Sequence, residues 1–354
     1  MSRALNWLRL PFEWLSLLSG AKNFQANAVV GSARLNRWGL HVLRKRIAHA
    51  IGYVYRKRIA ARLPAADVAA FEAQGFLQLD NFLPEGEFSQ VRDEICRGVW
   101  PLIEMAQPPA VTHRANLDMK ICAGNFPALA RLLHNPLLLD WMRYAAGYPG
   151  QPLIALQRIT SDQASESGGT DPQADWHMDT FHSVGKGWLF LHSVDVQDGP
   201  FAYVPGSHRL TGKSLAWERQ QSVAARQHPD HLHARGSFRA NTQDLAEMGF
   251  ADVYVAAVKP NTLVVADTGG LHRRMSSPGP TVRLEIYLSL RRNPFFGWCT
   301  PSLLGMPVIR SHWAGWAYAL CQYLVRIGRP GWIPRPAQRL NADDRSRLDQ
   351  RQED

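Results

Sequence analysis

The sequence predicts an α+β, mainly β, fold in which a helical part precedes an antiparallel sandwich or barrel. Helical spacing dominates residues 64–150, whereas seven short runs rich in β-branched and aromatic residues follow Pro152. Turns separate these runs and no helical crossover lies between them, which favours antiparallel pairing. Of the 354 residues, 45% are apolar and 20% charged, which is typical of a globular protein and excludes the disordered and coiled-coil classes.

An N-terminal arm, residues 1–62, carries the net charge of the chain. Residues 1–60 contain eleven basic side chains and one acidic one, a balance of +10 that equals the formal net charge of the whole chain. Apolar residues recur at steps of three and four, so we expect two amphipathic helices with lysine and arginine on the other faces. The apolar faces either bind a membrane surface or pack on the rest of the protein. The two apolar sets are Leu5, Leu8, Phe12, Leu15 and Leu18, and Leu40, Leu43, Ile47, Ile51 and Val54.

We expect one domain over residues 63–292, with a helical part at 63–150 and a strand-rich part at 151–292, followed by an aromatic, basic C-terminal extension and polar tail at 293–354. A long polar insertion, 211–249, interrupts the strands and has the length of a lid or binding loop. The predicted helices are Ala65–Gln74, Glu85–Glu104 and Pro136–Ala146. The predicted strands are 153–160, 175–181, 187–194, 201–205, 253–258, 262–267 and 281–290.

Cysteine usage and hydropathy limit the compartments in which we expect the protein. The four cysteines lie far apart without a C-x-x-C pair, which matches neither a disulfide framework nor a zinc site. No uncharged stretch reaches the roughly 20 residues that span a bilayer. We therefore expect a cytoplasmic protein without a transmembrane helix.

Two histidines and one carboxylate have a spacing that suits a metal site. His177 and Asp179 lie two apart on a predicted strand, where such side chains point to the same face, and His272 follows a later strand. A second His-x-Asp sequence, His228-Pro-Asp230, lies in the polar insertion without a strand pattern, so we set it aside. Two histidines and one carboxylate suit Fe(II), because this triad leaves positions open for a co-substrate and O2.

Arg283 lies on a predicted strand, TVRLEIYLSL, whose alternate residues form a polar face. Arg283 shares this face with Glu285, Tyr287 and Ser289, and the intervening residues are apolar. A polar face that points into the protein needs a polar ligand. A guanidinium suits a carboxylate there, because its planar fork makes two charge-assisted hydrogen bonds.

Four segments together resemble the phytanoyl-CoA dioxygenase-like family of Fe(II)/2-oxoglutarate-dependent oxygenases. The matching text is WHMD, DGPFAYVPGSHR at 198–209, GGLHRR, and VRLEIYLSLR. The resemblance covers roughly residues 64–292 and is strongest over 150–290. It implies a double-stranded β-helix (jelly-roll) core with flanking helices.

The resemblance also implies the roles of individual residues. It assigns metal ligation to His177, Asp179 and His272, and binding of the 2-oxoglutarate carboxylate to Arg283. It places Trp188 against the co-substrate, and spacing alone suggests Lys120 as a further contact. The implied cofactors are Fe(II), 2-oxoglutarate and O2, with ascorbate as a supporting reductant.

The chain departs from the family pattern directly after the second histidine. Arg273 and Arg274 follow His272, where the family commonly has a small residue and serine. Two extra cations near the mouth of the site favour an anionic substrate. Since Asp179 is present rather than alanine or glycine, the chain is expected to be a hydroxylase rather than a halogenase.

Three functions remain open at the level of the sequence. The first is hydroxylation of a C–H bond of a small molecule or lipid-like amphiphile, with succinate and CO2 as co-products, on the inner face of a membrane, because a basic arm is attracted to anionic lipid. The second is an oxygenase that modifies nucleic acid, with the arm on phosphates. The apolar helix faces and the absence of a recognition motif speak against it. The third is a non-catalytic membrane-surface protein of the same fold, which the intact triad disfavours.

Overall fold

A computed structural model describes residues 10–161, 171–329 and 331–340. A helical segment at residues 10–15 opens the described part. The helices that follow are α1 (Ala33–Arg37), α2 (Leu40–Ala60), α3 (Ala65–Gln74), α4 (Glu85–Arg97), α5 (Met119–Asn125), α6 (Pro127–Leu133), α7 (Pro136–Ala146), α8 (Gly212–Ala224), α9 (His231–Ala234), α10 (Thr242–Met248) and α11 (Pro307–Arg326).

The strands form two antiparallel sheets. The larger has the order β1-β10-β6-β12-β4-β3-β2-β13 and the smaller β8-β5-β11-β7-β9. The strands are β1 (Phe76–Leu79), β2 (Val99–Gln107), β3 (Ala110–Asn116), β4 (Leu153–Ser161), β5 (Trp176–His177), β6 (Gly185–Phe190), β7 (Phe201–Tyr203), β8 (Arg239–Ala240), β9 (Tyr254–Val255), β10 (Leu263–Asp267), β11 (His272–Arg274), β12 (Thr281–Leu290) and β13 (Ile333–Arg339). The predicted antiparallel fold with flanking helices is confirmed, and each of the seven predicted runs contains a strand.

One predicted helix is wrong in its second half. The run Glu85–Glu104 is a helix only as far as Arg97, and β2 begins at Val99. Gly98 takes an extended conformation with φ −67° and ψ 149°, and Pro101 cannot continue a helix. With β1, β3 and β13, which were also not predicted, this strand extends the larger sheet.

The two faces of strand β12 separate the hydrophobic core from the cavity. Leu284, Ile286 and Leu288 are buried in the main core with residues of α7 and the neighbouring strands. Arg283, Glu285 and Tyr287, on the opposite face, line a cavity between the two sheets. The alternation read from the sequence therefore places the polar face of β12 toward the site.

The insertion at residues 211–249 is folded and packs on the smaller sheet. Trp217, Phe238 and Leu245 share a buried apolar cluster with Trp176 and Met178, which flank His177. Helix α8 begins with a capping box at Thr211. This segment therefore supports the strand that carries the first histidine of the predicted triad.

Helix α2 lies against the body of the protein with three residues of its apolar stripe outward. Leu43, Ile47 and Val54 are 56%, 43% and 50% exposed, whereas Arg44, Lys45 and Arg56 are buried. The expectation of an amphipathic helix with basic residues on other faces agrees with this structure. Ile51 packs against Phe181 and Phe295, so the alternative in which the stripe packs on the protein holds for Ile51 and not for the three exposed residues.

Buried acceptors explain why the basic side chains face inward. Arg44 donates to the carbonyl oxygens of Leu17, Ser19 and Ala21. Lys45 forms an ion pair with Glu218 of the insertion, and both side chains are buried. A buried carboxylate needs a cation, so the charges decide which face of α2 meets the body.

Arg56 connects the arm to helix α7 and to Asp267 on β10. Its Nε and Nη2 donate to the carbonyl oxygens of Tyr144 and Ala145 at 2.9 and 2.8 Å. Both carbonyls lie in the last turn of α7, where a cation also interacts favourably with the helix dipole. Nη2 also lies 2.7 Å from Oδ2 of Asp267.

Within the described residues, no helix has both the length and the apolar character needed to cross a bilayer.

Candidate metal and co-substrate site

The side chains of His177, Asp179 and His272 converge at the smaller sheet. His272 on β11 pairs directly with His177 on β5, and their ring centroids are 4.3 Å apart. Asp179 follows β5, where its N–H donates to the Thr268 carbonyl at 2.9 Å. One potential ligand atom from each of the three lies within 4.8 Å of the others, the only such group found in the described residues.

Backbone carbonyls orient both imidazole rings. Nδ1 of His177 lies 2.8 Å from the Asp175 carbonyl oxygen, and Nδ1 of His272 lies 3.0 Å from that of Gly270. A carbonyl only accepts hydrogen bonds, so each Nδ1 carries the proton and each Nε2 keeps its lone pair. Nε2 of His272 is buried without a hydrogen-bond partner among the described residues. An unpaired nitrogen beside a carboxylate fits a metal ion at this position.

The charge states of the three side chains suit metal binding. Burial lowers the pKa of His177 well below its usual value and that of His272 to about 4. For Asp179 burial acts to raise the pKa, but Lys186 and the two histidines outweigh it and hold the pKa below its usual value. Neutral imidazoles and an ionised carboxylate are the forms that coordinate a metal.

Asp179 is held by three groups from other parts of the chain. The Thr268 hydroxyl donates to Oδ2 at 2.5 Å, and the Lys186 ammonium lies 2.6 Å from the same oxygen. Lys22 of the arm donates to the backbone carbonyl of Asp179. Oδ1 lies 3.8 Å from Nε2 of His272. These contacts leave Oδ1 directed toward the two imidazoles.

Sequence reasoning missed Lys186 and Lys22 at this site. Lys186 lies two residues before Trp188 on β6, so both side chains point to the same face, and that alternation was the available signal. Lys22 had no local signal, because it reaches Asp179 across 157 positions of sequence. Burial, followed by repulsion from Arg291, lowers the pKa of Lys22 to about 8.

A cavity of about 190 Å³ extends from the triad between the two sheets. Its lining includes Asp179, His272, Arg283 and Trp188. The Arg283 guanidinium is buried and donates to the Gly199 carbonyl at 2.5 Å, and the Trp188 ring lies 4.5 Å from that of Phe201. The structure thus brings five of the six predicted site residues together, namely His177, Asp179, His272, Arg283 and Trp188.

Lys120, the sixth predicted residue, lies elsewhere. It is exposed on α5 and is not among the residues that line the cavity. Its assignment depended on spacing alone, and Lys186 is the lysine that the structure places at the cavity instead.

The two arginines that follow His272 lie at the same cavity. Arg273 stacks on the Trp176 ring at 4.3 Å, and Arg274 lies 3.3 Å from an Asp171 carboxylate oxygen. Arg114 lines the cavity as well. The cavity therefore contains more cations than the binding of one carboxylate by Arg283 requires.

The second His-x-Asp sequence has a structural role. Asp230 accepts hydrogen bonds from the N–H groups of Leu232 and His233 and caps α9. The His228 ring stacks on that of His233 at 3.8 Å. These contacts agree with the expectation that His228-Pro-Asp230 is not part of the metal site.

The arm also contacts Asp267 at the end of β10, where the loop to His272 on β11 begins. Asp267 is fully buried, accepts hydrogen bonds from Val184 N–H and Gly269 N–H at 3.1 and 2.9 Å, and pairs with Arg56. The arm thus also bears on the architecture of the site.

Comparisons with known proteins identify the family. The sequence profile of the phytanoyl-CoA dioxygenase (PhyH) family matches residues 71–248, which is half of the chain and ends before His272 and Arg283. A search of curated protein sequences found no match.

Solved structures that resemble the chain include those of SnoN, HygX and SnoK. The epimerase SnoN in complex with Fe3+, alpha ketoglutarate and nogalamycin RO is 16% identical, with 64% of this chain and 82% of that chain covered and a TM-score of 0.41. HygX from Streptomyces hygroscopicus, with nickel, 2-oxoglutarate and hygromycin B, is 18% identical (64% and 86% covered, TM-score 0.40). The carbocyclase SnoK from nogalamycin biosynthesis is 17% identical (66% and 85% covered, TM-score 0.40). By its profile match, the chain belongs to the phytanoyl-CoA dioxygenase family of Fe(II)/2-oxoglutarate-dependent oxygenases.

Proposed function

We propose that this protein is a 2-oxoglutarate-dependent hydroxylase that inserts oxygen into a C–H bond of a small-molecule or lipid-like substrate, with succinate and CO2 as co-products. The observation that carries this proposal is the group of His177, Asp179 and His272 with an unpaired, buried Nε2, at one end of a cavity that Arg283 also lines. Family membership gives the reaction class, and the substrate class is our inference.

Each side chain has a proposed role. His177, Asp179 and His272 would hold Fe(II), which supplies the activation of O2 when bound. Arg283 binds the distal carboxylate of 2-oxoglutarate through its planar fork. Trp188 closes one wall of the cavity and limits the access of water. With Asp179 present, the protein contributes a full set of three ligands.

Conversion of 2-oxoglutarate to succinate tests this function. The purified chain, supplied with Fe(II), O2 and ascorbate, is expected to form succinate. Asp179→Ala should abolish the conversion, and Arg283→Gln should raise the KM for 2-oxoglutarate more than it lowers kcat. Asp252→Ala is the matched control, because it makes the same change at an exposed position. Equal succinate formation by Asp179→Ala and wild type would refute the proposal.

We also propose that the protein works in the cytoplasm on the inner face of an anionic membrane. Leu43, Ile47 and Val54 form an exposed apolar stripe on α2, and Arg46 and Lys57 of the same helix are exposed. An exposed apolar face with basic neighbours suits the interface of an anionic bilayer. Nucleic acid fits less well, because Arg44, Lys45 and Arg56 use their charge inside the protein.

Co-sedimentation with vesicles tests the membrane proposal. The triple variant Leu43→Ser/Ile47→Ser/Val54→Ser should lose binding to vesicles that contain phosphatidylglycerol. Changes on the buried face of α2 cannot serve as a control, because those residues stabilise the fold. Removal of the whole arm is equally unsuitable, since it would leave Glu218 and Asp267 buried without their cations. Undiminished vesicle binding by the triple variant would contradict the proposal. A change in its oligomeric state without a change in vesicle binding would contradict it as well.

A further inference from the structure

A second cavity lies on the other side of the triad. It has a volume of about 290 Å³, and its lining includes His177 and Asp179. Asp179, Lys186 and Gln173 line both this cavity and the one that contains Arg283. The triad therefore stands between two spaces. With 2-oxoglutarate in the Arg283 cavity, as proposed above, the second space is open to the substrate that is oxidised.

Four cations line this second cavity. Lys186 is paired with Asp179, but the other three come from separate parts of the chain. Lys22 belongs to the arm, Arg239 to β8 in the insertion, and Arg291 directly follows β12. Asp179 is the only carboxylate in the lining. The cavity has an excess of positive charge next to the triad.

Part of the hydrogen-bonding capacity of these cations is unused. Nε and Nη1 of Arg239 are buried without a hydrogen-bond partner among the described residues, and Asp230 approaches Nε only to 3.4 Å. In the described part of the chain, no carboxylate oxygen lies within 4 Å of the charged nitrogens of Lys22 or Arg291. Buried N–H groups without an acceptor are costly, so an anion from outside the chain fits this position.

We propose that this cavity binds a phosphate group of the substrate. A tetrahedral phosphate presents oxygens in several directions, so it can accept from Lys22, Arg239 and Arg291 together, whereas a single carboxylate has two oxygens in one plane. The proposal rests on the function proposed above and gives its substrate class as phosphate esters. The phosphate then fixes a neighbouring C–H bond beside the triad, which makes these three residues determinants of specificity.

An open groove continues from this cavity and suits an apolar chain. The groove has a volume of about 670 Å³ and shares Ser289 and Arg291 with the cavity. It runs between Gly20 of the arm and Leu303 of the C-terminal extension. The apolar side chains of its lining are those of Leu153, Leu290, Pro301, Leu303 and Leu304. A phosphate ester with an apolar tail would fill both spaces, although a soluble phosphate ester has the same anionic group.

Calorimetry of the full chain with inorganic phosphate and with glycerol 3-phosphate tests the anion site in the presence of saturating 2-oxoglutarate. Arg239→Gln and Arg291→Gln are each expected to weaken binding by about tenfold or more, since each removes a charged donor. Arg226→Gln is the matched control, because it makes the same change at an exposed position in the same insertion. Arg239 lies on a strand, so its variant could fail to fold for reasons unrelated to binding; Arg291→Gln tests the same site outside a strand. Equal affinities in all four proteins, or no binding by the wild type, would overturn the proposal.

Phosphorus NMR with Mn(II) bound to the chain tests the position of the site. Mn(II) held by the triad should broaden the phosphate resonance strongly in the wild type and the Arg226 variant, and weakly in the other two. A bound phosphate that is not broadened would overturn the placement beside the triad. Failure of Mn(II) to bind would contradict the proposed function, while calorimetry still decides the anion site.

Vesicles separate the two sources of phosphate. If the substrate is a lipid, vesicles of phosphatidic acid in phosphatidylcholine should compete with glycerol 3-phosphate in the wild type, and the Arg291→Gln variant should lose this competition. Competition by glycerol 3-phosphate alone would assign a soluble phosphate ester, which keeps the anion site and rejects the lipid source.

Discussion

Replacing Arg56 by methionine tests the buried link between the N-terminal arm and the loop before His272. The guanidinium lies 2.7 Å from Asp267 and donates to the carbonyls of Tyr144 and Ala145 at 2.9 and 2.8 Å. Methionine fills part of the space of the arginine stem but removes the charge and every donor. Asp267, which is fully buried, would then lack its cation.

The pKa of Asp267 gives the scale of this loss. Burial acts to raise that pKa, but Arg56 outweighs it, and the pKa falls from the usual 3.8 to about 2. A shift of about two units corresponds to about 2–3 kcal/mol of net stabilisation of the charged form. Removing one partner of a buried ion pair costs about 3–5 kcal/mol, because the remaining charge stays desolvated. We therefore expect the free energy of unfolding to fall by about 3–5 kcal/mol.

Denaturant unfolding of Arg56→Met and of the matched control Arg46→Met measures this difference. Arg46 lies on the same helix with an exposed side chain, so its change should alter the free energy of unfolding by no more than about 0.5 kcal/mol. The double variant Arg56→Met/Asp267→Asn should recover part of the loss, since it removes the stranded charge and keeps an Oδ1 acceptor for Val184 N–H and Gly269 N–H. A difference between the two single variants below about 1 kcal/mol would refute the reasoning.

Three further changes probe other parts of the structure. Burial acts to raise the pKa of Glu218, but its ion pair with Lys45 outweighs this and lowers the pKa to about 2. The stabilisation by the ionised Glu218 is therefore full above the usual pKa of 4.5 and is lost as the pH falls toward 2. Glu218→Gln should lower the free energy of unfolding by about 3 kcal/mol at neutral pH. Denaturant unfolding should show that this difference from wild type becomes smaller in acid. Thr268→Val removes the donor to Asp179 and should weaken metal binding about 10- to 100-fold in a metal titration, whereas Thr268→Ser should not, and equal affinities would contradict this role. Gly270→Ala would place a Cβ 2.1 Å from a buried tyrosine hydroxyl and should cost about 1–3 kcal/mol in denaturant unfolding, and an unchanged midpoint would contradict it.

The strands and the triad were readable because their signals are local. The alternation over residues 281–290 predicted both the strand and the inward face of Arg283, and the structure has the strand at Thr281–Leu290. His177 and His272 were found by their spacing to neighbouring strands, and the structure pairs them directly. A period of two or of 3.6 residues needs only a short segment to be visible.

The orientation of the arm was not readable for the opposite reason. Periodicity indicates which residues of α2 share a face, but the face that meets the body depends on its partners. Glu218 and Asp267 are those partners, and they lie 173 and 211 positions away from Lys45 and Arg56. A charged helix face turns inward only where distant carboxylates are buried, which no local pattern reports.

The C-terminal end of helix α4 was predicted in the wrong place. The apolar residues after Arg97 continued the helical spacing, so the predicted helix ran on to Glu104. Gly98 and Pro101 end it in the structure, and Trp100 becomes fully buried in β2. Gly98 and Pro101 are helix-breaking residues, and here they outweigh the helical periodicity of the apolar residues.

Anaerobic titration of the full chain with Fe(II) and then 2-oxoglutarate tests the central claim most directly. We predict that one Fe(II) binds per chain, that 2-oxoglutarate binds tightly only after iron, and that the visible absorption of an Fe(II)–2-oxo acid chelate appears. Asp179→Ala should lose both binding events, while Asp252→Ala, the same change at an exposed position, should keep both. Iron and 2-oxoglutarate binding that is unchanged in Asp179→Ala, or lost equally in both variants, would contradict the assignment of His177, Asp179 and His272 as the metal site.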